Sequence, residues 1–376
     1  MRTDLPEPTA AERAHSDALA GLIRNEIAAK GPMPFSRYME LCLYAPGLGY
    51  YSAGKTKFGE AGDFVTAPEL GNLFARCVAR AMAPTLEELG EDACVLELGG
   101  GSGAFAEDCL RELASLGRAP KHFWILEPSA DLRQRQQQRV QTNLPPDLAL
   151  RVSWLDRPPE EDWRGVLFAN EVIDALPATR FAIHEGEIFE EYVVDAGDGG
   201  FASVDLPADG FVGNSVLTIE RELGLSFDHG YRSEILPQLP YWLQAVTAGM
   251  REGMALFVDY GYSRREFYLP ERRDGTLVAH YRHRAHPDPF ILPGLQDLTT
   301  FVDFGALAVA GRGAGFEMSG LGSQSDFLVA NGLAEIFAAD SANADEAARY
   351  ALAQQVKRLT LPGEMGEKFK AIAFAR

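Results

Sequence analysis

The stretch that constrains this chain most is Ala93-Cys94-Val95-Leu96-Glu97-Leu98-Gly99-Gly100-Gly101-Ser102-Gly103. A short apolar run leads into a glycine-dense turn, and an amphipathic pattern follows from Ala104 to about Leu116. A run of that kind reads as a strand buried on both faces, the habit of parallel sheets. Glycines suit the turn because a chain without Cβ bends tightly and lets a ligand reach its backbone N–H groups. Strand, turn and helix together predict an α/β domain that cradles a nucleotide, with Gly99, Gly101 and Gly103 as cofactor contacts.

Two cofactors fit such a cradle. Gly99, Gly101 and Ala104 satisfy the looser dinucleotide fingerprint, so the glycines alone do not separate a nicotinamide site from an S-adenosylmethionine site. Glu97 favours the second: a carboxylate inside a strand is costly unless paired, and the ammonium or sulfonium of S-adenosylmethionine would pair it. A structural turn in which Glu97 caps local N–H groups is the plainer alternative.

Charge narrows the partners. A formal net charge of −19 over 376 residues argues against gripping nucleic-acid phosphates, which takes a basic footprint. Cys42, Cys77, Cys94 and Cys109 form no CxxC pair, so they read as reduced thiols rather than a zinc site or disulfide framework. No apolar run reaches membrane-spanning length, and Asp4, Glu7 and Glu12 are unlike a signal or transit peptide. We expect a cytoplasmic protein without membrane insertion or a bound metal; the pattern does not set its oligomeric state.

Residues 1–90 read as an N-terminal extension. Leu19, Leu22, Ile23 and Ile27 recur at helical spacing until Lys30-Gly31-Pro32, and a second short helix is expected from Ser36 to Leu43. From Tyr44 to Glu69 the chain is rich in both glycine and aromatics, which suits a lid closing over a flat ligand. Gly62, Asp63 and Phe64 in this loop join the expected cofactor contacts. An ordered surface loop is the alternative.

Residues 91–376 read as the main domain. Strands are expected at His122–Glu127, Leu148–Trp154, Gly165–Ala169 and Met254–Tyr262, with a last one at Lys368–Phe374 that inserts antiparallel. Glu127 falls where a ribose-binding carboxylate is expected, and Trp154-Leu155-Asp156 is placed to wall the adenine or join the core. Asn170, Glu171 and Asp174 follow the fourth strand, where ligands of open α/β sheets gather. Two carboxylates beside an amide can grip a guanidinium or amine and take its proton, although a helix cap would use the same residues. Asp259 joins them at the end of the fifth strand.

Between these strands, residues 180–220 read as a β-rich insertion, with strands at Phe181–Ile183, Phe189–Val194 and Ser215–Ile219. A helix is expected from Leu236 to Met250. Residues 263–295 read as a basic loop that docks a partner, and its histidines lie among too many arginines to suit a dication. A helical stretch is expected from about Ser325 to Leu359.

These residues resemble the S-adenosylmethionine-dependent methyltransferases related to the mitochondrial complex I assembly factor that methylates arginine. The resemblance rests on Tyr44-Ala45-Pro46 with Gly49-Tyr50-Tyr51, Gly62 to Glu69, Glu97-Leu98-Gly99, Ala169-Asn170-Glu171 with Asp174-Ala175-Leu176-Pro177, Val258-Asp259-Tyr260-Gly261, and Gln296-Asp297-Leu298-Thr299 with Val302-Asp303-Phe304. It covers roughly residues 16–335. It implies a Rossmann-like class I methyltransferase sheet with helices on both faces, S-adenosylmethionine as methyl donor, and arginine of a partner protein such as a respiratory-complex subunit as acceptor. Asn170, Glu171 and Asp174 would then be the catalytic residues. Gly100 stands where relatives often carry proline. Two rival readings are an assembly chaperone that binds S-adenosylmethionine without turnover, and a nucleotide-dependent oxidoreductase.

Overall fold

Cys94–Leu98 lies inside a mostly parallel sheet, flanked by Trp163–Asn170 on one side and His122–Leu126 on the other. The structure is a computed structural model that describes residues 5–53 and 66–376. Gly62, Asp63 and Phe64 therefore lie outside the described residues. Across the sheet the strands run Glu317–Ser323, Phe369–Ala375, Met250–Tyr262, Trp163–Asn170, Cys94–Leu98, His122–Leu126 and Val152–Leu155, with Val302–Asp303 beside the end of Met250–Tyr262. The strand Phe369–Ala375 runs antiparallel between Met250–Tyr262 and Glu317–Ser323, as expected.

Alternation along these strands feeds two cores. Val95, Phe123, Val166, Phe168 and Val258 pack on one face beneath the helices Leu73–Leu89 and Ala104–Ser115. Leu96, Leu98, Leu167, Ala169 and Phe257 pack on the other beneath Leu239–Val246 and Phe304–Gly313. Each large side chain so buried contributes about 1.5–3 kcal/mol relative to exposure. The sheet is therefore covered by helices on both faces.

From Cys94–Leu98 the chain steps outward through His122–Leu126 to Val152–Leu155, then returns to the other flank with Trp163–Asn170. That reversal opens a crevice at the carboxyl ends of the strands, where open α/β sheets bind ligands. Two smaller antiparallel sheets complete the fold, and the second of them lines the crevice. One joins Met33–Pro34, Glu187–Asp195, Thr179–His184, Arg232–Ile235 and Phe201–Pro207, so the N-terminal segment pairs with the insertion, Met33 opposite Val193. The other joins Arg284–His286, Val278–Tyr281 and Asp297–Thr299.

Several expectations are corrected. Ser215–Ile219 is not a strand but part of the helix Gly210–Leu223: Val212, Val216 and Ile219 bury at helical spacing. Asp209 caps that helix, Oδ1 accepting from the N–H groups of Phe211 (2.9 Å) and Val212 (2.8 Å). The expected helix from Leu236 to Met250 is confined to Leu239–Val246, and Met250 already begins a strand. The strand expected from Leu148 starts at Val152, because Pro146–Ala149 forms a helical turn. The basic segment is not all loop: Arg282 and His283, with φ of 47° and 61°, turn a hairpin between Val278–Tyr281 and Arg284–His286. The C-terminal helical stretch is three helices, Gln324–Ala330, Leu333–Ala342 and Glu346–Thr360.

Candidate active site

The crevice holds a cavity of about 780 Å³, within the ~300–1,000 Å³ usual for small-molecule sites. Glu97, Gly99, Gly101, Glu127, Asn170, Glu171 and Asp174 all line it. Gly103 and Leu155 stand outside its wall; Gly103 caps the helix Ala104–Ser115, and the Leu155 carbonyl accepts from Arg133 (2.6 Å).

At one end is the glycine turn. Gly99, Gly101 and Gly103 have φ of 68°, 52° and 81°, a left-handed region that costs other residues strain. A Cβ on Gly99 would also stand 3.0 Å from Val172 Cγ2. Beneath the turn, Glu97 is 3% exposed and its Oε2 has no hydrogen-bond partner among the described residues. Burial, and then the charge of Glu127, push the Glu97 carboxyl up to about 8. Glu127 is buried, its Oε1 accepting from Ser129 N–H (2.9 Å) and its Oε2 from Gln136 Nε2 (3.3 Å). Gln136 also donates to the Gly101 carbonyl (2.9 Å) and accepts from the Trp154 indole (2.7 Å). It ties the turn to the end of the second strand, a role nothing in a helix crowded with arginine and glutamine signals.

The other end is acidic. No helix begins at Asn170. The chain instead turns sharply at Glu171, whose φ of 53° is left-handed and whose N–H donates to the Val258 carbonyl (3.0 Å). Asn170 Nδ2 donates to Glu171 Oε1 (3.0 Å), while Asn170 Oδ1 is buried without a partner among the described residues. The Glu171 carboxyl is pushed up to about 8, first by burial and then by the charge of Asp174, against the pull of the Asn170 amide.

Asp174 and Asp259 are both held above the usual carboxylate range, burial being the largest cause for each. Asp259 Oδ2 accepts from the N–H groups of Ile173 (3.0 Å) and Asp174 (3.3 Å), so it fastens the turn carrying Glu171 and Asp174. Tyr260, the residue after Asp259, lines the cavity and donates to Asp174. Tyr44 and Tyr51 stack with centroids 5.7 Å apart and their planes 19° from parallel. The Tyr51 hydroxyl donates to Asp297 Oδ2 (3.1 Å), and that of Tyr44 to the Ala175 carbonyl (2.9 Å). Chemical roles for Tyr260 and Asp297 are absent from the sequence reading, because nothing in their local pattern shows that they face the same cavity.

A buried carboxylate oxygen without a partner, a glycine cradle and a second buried acid fit a ligand cationic at one end and hydroxylated further along. Fold and site together define a Rossmann-like enzyme that handles a nucleoside cofactor carrying positive charge.

Residues 77–322 match the family described as S-adenosyl-L-methionine-dependent methyltransferase. The chain belongs to that family, and its cofactor is S-adenosylmethionine. A solved structure from Burkholderia thailandensis, bound to S-adenosylhomocysteine, is 41% identical, covers 99% of this chain and 95% of its own, and superposes with a TM-score of 0.92. A mitochondrial protein arginine methyltransferase NDUFAF7 homolog of Drosophila melanogaster is 28% identical over 332 residues, 81% of this chain and 72% of that protein. Human protein arginine methyltransferase NDUFAF7 is 26% identical over 93% of this chain and 81% of its own length.

Proposed function

We propose that the protein transfers a methyl group to a side-chain nitrogen of a partner protein, and that arginine is the acceptor. The observation that carries this reading is the cluster of acids, half-buried Glu171 with buried Asp174 and Asp297, in the same cavity as the glycine turn. A guanidinium would satisfy several of these carboxylates at once through paired N–H donors. The names of the 25–28% identical relatives support the same acceptor.

In this reading Glu97 pairs with the amino-acid ammonium of the cofactor, the N–H groups of the 99–103 turn border its carboxylate, and Glu127 accepts from its ribose hydroxyls. S-adenosylmethionine, when bound, supplies a methyl group already activated by its sulfonium. The protein's part is then alignment and removal of one proton. Asn170 Oδ1 accepts an N–H of the guanidinium, Glu171 and Asp174 hold its plane, and one of the two takes the proton as the nitrogen becomes nucleophilic. Alignment supplies most of the rate in such a transfer.

The test is labelling. Lysate from a strain lacking the protein is incubated with methyl-labelled S-adenosylmethionine and the purified enzyme, and labelled polypeptides are hydrolysed to amino acids. We expect label in methylarginine, lost in a Glu171→Gln variant. Label confined to small molecules, or to another amino acid, overturns the arginine reading.

A further inference from the structure

The cavity wall is built from two sources. The glycine turn, Glu97 and Glu127 belong to the parallel sheet, whereas Tyr44 and Tyr51 come from the N-terminal segment and His280, Asp297 and Thr299 from the small antiparallel sheet. The register of that sheet explains its division of labour. His280 pairs with Asp297 and Val278 with Thr299, and period-two alternation puts these four on one face, toward the cavity. Ala279 and Leu298, the pair between them, face the other way and pack into the core formed with the N-terminal helices.

Asp297 is therefore an acid fixed on a rigid strand, 3% exposed and oriented by the Tyr51 hydroxyl. Next to it on the same face, Thr299 is 2% exposed, its hydroxyl beside the Tyr260 phenol, and Asp174 Oδ1 is buried without a hydrogen-bond partner among the described residues. Such an oxygen at a cavity wall is an acceptor waiting for a donor, since buried polar groups are almost always satisfied. Tyr44 and Tyr51 contribute stacked rings to the same wall. Flat aromatic faces beside carboxylates favour a planar, weakly hydrated cation with several donors over a compact, strongly hydrated ammonium.

We propose that Asp297, held by Tyr51, binds the acceptor group, and that the chamber it lines with Tyr44, Thr299 and Asp174 is a guanidinium subsite separate from the cofactor cradle. This rests on the methyl-transfer reading above and assigns its acceptor specificity to residues outside the parallel sheet. Selection of the acceptor is thereby separated from binding of the donor: the 297–299 strand can change its charge without disturbing the glycine turn.

The probe is methylguanidinium chloride, with methylammonium chloride as its control, added to protein saturated with S-adenosylhomocysteine and followed by thermal unfolding. A ligand that binds only the folded state raises the midpoint with concentration. We expect methylguanidinium to raise it and methylammonium to do so far less. Asp297→Asn should weaken the methylguanidinium response by about tenfold in concentration, with S-adenosylhomocysteine affinity by calorimetry within about twofold of the natural protein. Tyr51→Phe, which keeps the acid and removes only its hydroxyl partner, should weaken the response by a smaller factor and decides the matter if Asp297→Asn does not fold.

Equal responses to the two cations, or an Asp297→Asn or Tyr51→Phe variant that responds as the natural protein does, overturn the subsite. The labelling experiment reads the parent proposal separately. Methylarginine found in the lysate while Asp297→Asn responds normally sinks the subsite alone, whereas label on another amino acid sinks the arginine reading itself.

Discussion

The Tyr260 hydroxyl donates a 2.6 Å hydrogen bond to Asp174 Oδ2. Its ring is wedged between Phe301 and Phe369, at 4.9 and 5.4 Å, both near edge-on. The phenol cannot swing away, so it fixes the rotamer of the acid and, by donating to the charged form, pulls down a carboxyl that burial pushes up. Tyr260→Phe keeps the ring and deletes the bond. With that donor gone the Asp174 carboxyl rises, so the acidic limb of the kcat/KM–pH profile moves to higher pH. We expect a loss of about tenfold at neutral pH. An unmoved acidic limb would show that Asp174 takes no proton in the reaction.

Glu97 makes cofactor binding proton-linked. Its carboxyl sits at about 8 in the protein against an ordinary 4.5. At pH 7 it is mostly protonated, and an ammonium placed against it must expel the proton. Calorimetry with S-adenosylhomocysteine at pH 7, in two buffers of different ionisation enthalpy, should therefore report release of roughly one proton, falling away above pH 9. The same shift works against the ligand-free fold. Between about 4.5 and 8 the folded state binds more protons than the unfolded chain, so stability falls as pH rises through that window. Glu97→Gln should lessen that slope, leaving the share due to Glu171 and Asp174, abolish the proton release and weaken binding by about tenfold.

Glu171 carries strain as well as charge. A non-glycine residue at φ 53° costs on the order of 1 kcal/mol, and its carboxyl is buried beside Asp174. Glu171→Gly relieves both costs. Its unfolding midpoint should stay level or rise although glycine enlarges the unfolded ensemble, while methyl transfer falls by at least about a hundredfold. Calorimetry and a turnover assay on one preparation check the pair. A variant that loses stability and activity together would mean that Glu171 holds the turn rather than serving the acceptor.

The central strands Cys94–Leu98 and Gly165–Ala169 were legible because each is an apolar run buried on both faces, and the glycine turn because three positions in five residues need left-handed backbone. Glu127 and Asp174 could be placed by their distance from strand ends, which sequence preserves. Ser215–Ile219 misled because Val216, Thr218 and Ile219 favour strands locally, and burial at 212, 216 and 219 overrides that preference. Asp297 and Tyr51 meet across 246 residues of chain, and Gln136 reaches Gly101 across 35. No local pattern encodes such meetings; they follow from the way separate elements pack around the crevice.

The insertion depends on a buried ion network that a single change should expose. Glu191, 1% exposed, accepts from Arg180 (3.0 and 2.9 Å) and Arg232 (2.5 Å). Arg180 continues to Glu234, and Glu234 accepts from the Thr276 N–H (2.7 Å), two residues before the strand that carries His280. The chain of bonds thus ties the insertion to the wall of the acceptor chamber. Removing one charge from such a network leaves its partners buried and underpaired, which costs more than the pair itself is worth. Because Arg180 keeps Glu234 and Arg232 keeps Asp205, we expect Glu191→Gln to cost about 2 kcal/mol in denaturant unfolding. Burial should shield the network from added salt. Cofactor affinity should hold within about twofold, since none of these residues lines the cavity. A cost below about 0.5 kcal/mol would place Glu191 with ordinary surface ion pairs.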